Sequence, residues 1–77
     1  MIITFGHSDP WSKNKWTMTI NLAELIKGEL KMPQVRKIFK LMIQNAGSEE
    51  IEQVQNYLNS SSRKYAVVFK EIRQKGR

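Results

Sequence analysis

The sequence predicts an α+β domain: an N-terminal two-stranded antiparallel ribbon packed on a small bundle of about four helices. Three observations carry that class. Two short β-prone runs stand near the N-terminus, at 2–5 and 16–20. Apolar residues then recur at helical spacing through the rest of the chain. The widest of these stripes lies in residues 33–46 and needs partners on several sides, so it belongs at the centre. At 77 residues the chain is expected to form one domain, 1–77. Such a short chain buries only about 60–65% of its unfolded surface, so its core is small.

Ile2-Ile3-Thr4-Phe5 is apolar and β-branched, which suits a strand. Gly6 is expected to end it. Residues 6–15, with Gly6, His7, Ser8, Asp9, Pro10, Ser12 and Asn14, are rich in turn formers and read as a loop. Trp16-Thr17-Met18-Thr19-Ile20 alternates, setting Trp16, Met18 and Ile20 on a half-buried face and both threonines on the other. This strand pairs antiparallel with the first. Two strands alone are barely stable, so the ribbon must rest on helices.

Asn21 is a good N-cap. Leu22, Leu25, Ile26 and Leu30 then form a helical stripe, which Gly28 weakens or ends early. Lys31-Met32-Pro33 is a tight link, because the residue before a proline avoids helical geometry. In the central helix Val35, Ile38, Phe39, Met42 and Ala46 fall on one face at about 100° per residue. Leu41 and Ile43 widen the arc to roughly 200°, centred on Phe39 and Met42. What remains is a thin polar stripe of Arg36, Lys37, Lys40 and Gln44. Pro33 suits the first turn, where its missing N–H is no loss. Gly47 is expected to end the helix in the left-handed conformation.

Ser48 is then expected to cap a further helix, with Glu49 and Glu50 favouring its dipole in the first turn. Ile51, Val54 and Leu58 face inward, with Tyr57 at the edge. Asn59-Ser60-Ser61-Ser62 breaks the chain and offers a new cap. In 63–75 the strand propensity of Tyr-Ala-Val-Val-Phe competes with a helical stripe of Tyr65, Val68, Phe69 and Ile72. The stripe continues to Ile72 among Lys, Glu, Arg and Gln, which favours helix. Gly76 and Arg77 are expected to fray.

Lysine and arginine number 13 against seven acids, a formal charge of +6. The excess is uneven: +4 over residues 1–47, −3 over 48–62 and +5 over 63–77. Such a field favours anionic partners, chiefly nucleic acid, although small soluble domains commonly carry a net charge of this size. There is no cysteine, so disulfides and Cys-based zinc sites are excluded and a reducing compartment, the cytoplasm, is the expected home. No apolar run approaches the ~18 residues of a membrane helix. The N-terminus shows no secretory signal, so none is expected.

Four candidate sites follow. The first is a helix-turn-helix over 35–58 with Gly47 in its turn. Its second helix has the wrong charge for a groove-reading role: Glu49, Glu50 and Glu52 crowd the end that meets DNA. Gln53 also stands where such motifs bury an apolar residue, and an ordinary helical hairpin is the plainer reading. The second site joins the stripe of Arg36, Lys37, Lys40 and Gln44 to the cations of the last segment. These are Arg63, Lys64, Lys70, Arg73, Lys75 and Arg77. If the two helices lie side by side, the stripes merge into one phosphate-binding surface. If they do not, they are two solvated faces.

The third site is the 6–15 loop. There Trp11 lies near Lys13 and Lys15, able to stack on a base, to anchor a protein interface, or to fold back over the core. Trp16 is expected in the core, since it alternates with Met18 and Ile20. The fourth is catalysis by His7, Ser8 and Asp9. Consecutive residues rarely form a nucleophile, base and orienter by themselves, so His7 reads as a loop residue. No metal-ligand spacing or Gly-rich phosphate loop is present, and neither an enzyme nor a cofactor is expected.

The expected function is therefore non-enzymatic nucleic-acid binding, of DNA before RNA and with the choice between them left open by the sequence, regulatory in character, through the Lys and Arg faces of the central and last helices. The rival is a protein-interaction module that captures or inhibits a partner. It would use the Trp11 loop with Lys13 and Lys15, and the helix 48–59 surface with Glu50 and Tyr57.

Overall fold

The computed structural model describes residues 1–8 and 15–75. Its elements are β1 (Ile2–Ser8), β2 (Lys15–Asn21), α1 (Leu22–Leu25), α2 (Met32–Asn45), α3 (Ser48–Ser61) and α4 (Arg63–Lys75). The ribbon and the four helices of the α+β class are all present.

β1 and β2 pair antiparallel in a register that sets Ile3 opposite Ile20 and Phe5 opposite Met18. Directly opposed residues share a face, so these four point inward together. Ile3 and Phe5 are buried, while Met18 and Ile20 are half-buried. The difference arises because α2 packs on β1. On the outer face Thr4 and Thr19 are opposed, and their hydroxyls lie 3.1 Å apart in a hydrogen bond.

Gly6 does not end the first strand. β1 runs on to Ser8, and Gly6 sits inside it opposite Thr17. The glycine is needed because β2 approaches closely: a Cβ added there would overlap the Trp16 carbonyl oxygen. His7 consequently lies in a strand, opposite Trp16, rather than in a loop. Residues 6–8 and 15 of the expected loop are therefore strand. Asp9, Trp11 and Lys13 lie outside the described residues, as do Gly76 and Arg77.

Trp16 also departs from expectation. It occupies the inward-facing register but is 38% exposed, its ring meeting Phe5 edge-on with centroids 6.2 Å apart. Exposure along that face of β2 falls from Trp16 to Met18 and Ile20, so Trp16 marks the end of the ribbon that the helices leave uncovered.

Asn21 caps α1 as its residue type predicts, its side-chain oxygen accepting from the Ala23 N–H at 3.1 Å. That helix is a single turn. Gly28 turns the chain at φ 84, which only glycine adopts freely, so Leu30 falls out of the expected stripe and is 37% exposed. α2 begins at Met32, inside the expected link, with Lys31 as its extended N-cap. Pro33 still sits in the first turn.

Gly47 is not a left-handed cap. α2 closes on itself, with the Asn45 amide donating to the Leu41 carbonyl at 2.8 Å. The Ala46 N–H donates to the Met42 carbonyl at 2.8 Å. Gly47, at φ −71, is instead the N-cap of α3, and its N–H donates to the Glu50 carboxylate at 3.3 Å. Ser48, expected as the cap, is the first helical residue. The expected break at 59–62 shrinks to Ser62, since α3 continues to Ser61.

α4 is a helix, and it packs against both α2 and α3. Its stripe of Tyr65, Val68 and Phe69 meets Val35, Phe39 and Met42 of α2 and Ile51, Val54 and Leu58 of α3 in one core. Phe39 and Phe69 cross edge to face at its centre, centroids 5.1 Å apart and planes at 90°. Gln55 is buried with them. Its amide nitrogen donates to the Asn59 side chain and to the Ala66 carbonyl, each at 3.2 Å, while its oxygen has no partner.

Candidate functional site

α2 buries its apolar arc against β1 and α4, which leaves Arg36, Lys37, Lys40 and Gln44 outside. Periodicity sets this stripe: the four residues occupy the side of the helix that Phe39 and Met42 do not. At the edge of the α2–α4 contact Ile72 and Lys75, in the C-terminal half of α4, lie beside the stripe. The result is an open hollow of about 500 Å³ between the two helices. Arg36, Lys37 and Lys40 line one wall, Lys75 the other, and Ile43 and Ile72 are partly buried within it.

A second hollow of about 420 Å³ adjoins the first and shares Ile43 and Gln44 with it. Lys70 and Arg73 of α4 line it, opposite Ser48 and Glu52 of α3. The two stripes read from the sequence therefore do meet, at the C-terminal half of α4. Its N-terminal cations lie elsewhere. Arg63 faces a third hollow, beside Asn59 and Val67, which shares Lys70 with the second, and Lys64 stands 5.8 Å from the Tyr65 ring centroid.

Acidic side chains temper this surface unevenly. Arg36 pairs with Glu71 at 3.8 Å, and Arg73 with Glu52 at 3.2 Å. These pairs are largely exposed, and each contributes about 0–1 kcal/mol at most. Their main effect is on local charge, since they offset two of the six cations around the hollows. Among the described residues, Lys37, Lys40, Lys70 and Lys75 form no ion pair. Sequence reasoning found every one of these cations but missed Glu52 and Glu71 as their partners. Glu52 lies 21 positions before Arg73 and Glu71 lies 35 after Arg36, separations that only packing brings together.

The helix-turn-helix candidate fares no better in three dimensions. α2 and α3 are joined by Ala46 and Gly47 alone, shorter than the 3–4-residue turn of that motif. Glu49, Glu50 and Glu52 are all exposed at the start of α3, and Gln53 is exposed where an apolar residue would be buried. The residues of the rival interface stand on separate elements. Lys15 is exposed at the tip of the ribbon, whereas Glu50 is exposed and Tyr57 half-buried on α3. The ribbon packs chiefly on α1 and α2, and α3 on α4.

Among the described residues no group of three or more His, Cys, Asp and Glu is placed to hold a metal ion. No described helix is long and apolar enough to cross a membrane. Compared with known proteins, the chain matches no family model, no curated protein and no solved structure.

Proposed function

We propose that this protein is a small non-enzymatic binder of nucleic acid, of DNA before RNA, acting through the basic face where α2 meets α4. One observation carries the reading. Lys37, Lys40 and Lys75 line the same open hollow, exposed and without an ion pair among the described residues. Phosphate binding needs several cations on one accessible side, and it yields affinity without sequence preference. The role is regulatory and cytoplasmic on this reading, as suits a cysteine-free chain in a reducing compartment.

The test is a fluorescence-anisotropy titration with duplex and single-stranded oligonucleotides at several salt concentrations. Binding should weaken steeply with salt. Replacing Lys37 and Lys40 by Gln should flatten the slope of log K against log salt by about 0.9 for each phosphate no longer neutralised on duplex DNA. Both side chains are exposed, so the fold should survive the change. No binding at low salt with micromolar protein would refute the proposal.

A second reading rests on Trp16. A tryptophan 38% exposed beside the exposed Lys15 suits an anchor for a protein partner. A salt-tolerant complex with one protein, weakened by Trp16→Ala and untouched by Lys40→Gln, would favour it.

A further inference from the structure

The two hollows that share Ile43 and Gln44 form a trough with an unusual combination of properties. Its walls carry Lys37, Lys40 and Lys75 on one side of the shared residues and Lys70 on the other. Yet the described side chains lining it include no aromatic ring. Proteins that hold single strands combine a basic groove with aromatic rings on which successive bases stack. Here the walls are present, and among the described residues the stacking surface is not. Ile43 and Ile72, which lie between the walls, offer no donor or acceptor to a base edge, and the uncharged polar side chains there are Gln44, Ser48 and Gln74. With four lysines on its walls that form no ion pair among the described residues, such a site responds chiefly to phosphate charge. A duplex presents that charge most densely, with one phosphate per about 1.7 Å of axis counting both strands.

We propose that the occupant of this trough is the phosphate backbone of a nucleic-acid duplex, gripped by Lys37, Lys40, Lys70 and Lys75, with single strands the poorer ligand. The inference rests on the nucleic-acid reading above and narrows it. Arg36 and Arg73 add little, because Glu71 and Glu52 already offset their charge. The four lysines set the scale, one neutralised phosphate each. The slope of log K against log salt is then about −3.6 for duplex DNA and about −2.8 for a single strand. Curves that converge near 1 M salt stand about tenfold apart at about 50 mM.

The experiment titrates the whole chain against a duplex and a single strand of equal length, each in two scrambled sequences, across that salt range. The expected result is tighter duplex binding by about tenfold at low salt, a gap that closes as salt rises, and no dependence on sequence. A single strand bound as tightly as the duplex, or more tightly, overturns the proposal while leaving the nucleic-acid reading intact. Failure of both oligonucleotides to bind overturns the two together. A variant with all four lysines changed to Gln, shown by circular dichroism to keep its helices, separates the remaining cases. Loss of most duplex affinity supports the trough as the site. Unchanged duplex affinity moves the site elsewhere and overturns the proposal.

Discussion

Replacing Phe39 by alanine removes the ring on which the helices converge. Phe39 is fully buried, and so are Val35, Met42 and Phe69 in the same core. Truncating a buried phenylalanine costs about 3–5 kcal/mol, because the lost transfer energy is joined by a cavity that close-packed neighbours fill only in part. The edge-to-face meeting with Phe69 accounts for about 0.5–1.5 kcal/mol of that. A chain of this length is stable by about 4–11 kcal/mol in all, so the variant is left marginal. At about 4–8 °C per kcal/mol, its melting temperature should fall by about 12 °C or more. The assay is thermal and urea unfolding, followed by circular dichroism, of the natural chain, Phe39→Ala, Phe69→Ala and the double variant. The two single losses should exceed the double loss by about 0.5–1.5 kcal/mol, the coupling of the pair. A loss below about 1 kcal/mol for Phe39→Ala, or no coupling, would mean that α4 does not cross α2 as described. The basic trough would fall with it.

Three further outcomes are expected. Gly6→Ala should destabilise the protein by about 1–3 kcal/mol, since the added methyl meets the Trp16 carbonyl rather than a side chain that can swing aside; an unchanged unfolding midpoint would show that the strands can separate there freely. Gln55→Met should be neutral or stabilise by up to about 1 kcal/mol, because it removes a buried oxygen with no partner along with two modest hydrogen bonds; a loss above about 2 kcal/mol in urea unfolding would contradict this. Glu71→Gln should release Arg36 to a polyanion and steepen the salt slope on duplex DNA by up to about 0.9, with little change in melting temperature. A slope left unchanged would mean that Arg36 does not reach the ligand.

The sequence by itself determined the local elements and the side of each that is buried. Helical periodicity is a property of neighbours three and four apart, so Val35, Phe39 and Met42 declare their shared face without reference to anything distant. The polar stripe of Arg36, Lys37, Lys40 and Gln44 follows as its complement. The same argument resolved 63–75 as helix against its strand propensity, and the pairing of two β-prone runs followed from their alternation. Gln55 was not among the inward positions read from the sequence, although it stands at one, between Ile51 and Leu58.

The structure decided the rest, and most of the remaining questions concern residues far apart in the chain. Alternation assigns Trp16 to the inward side, but how far the helices reach beneath the ribbon is a matter of packing, and they stop short of it. Gly6 reads as a breaker by composition, whereas its reason is the approach of β2, invisible along a single strand. Gly47 signals a helix boundary in sequence, but whether it closes α2 or opens α3 depends on hydrogen bonds, and Asn45 had already closed α2. The angle at which α4 crosses α2 is set by how their side chains interdigitate, not by either stripe alone. That angle brings Lys75 beside Lys37 and Lys40, gives Arg36 and Arg73 their acidic partners, and leaves Arg63 and Lys64 at the far end of the helix.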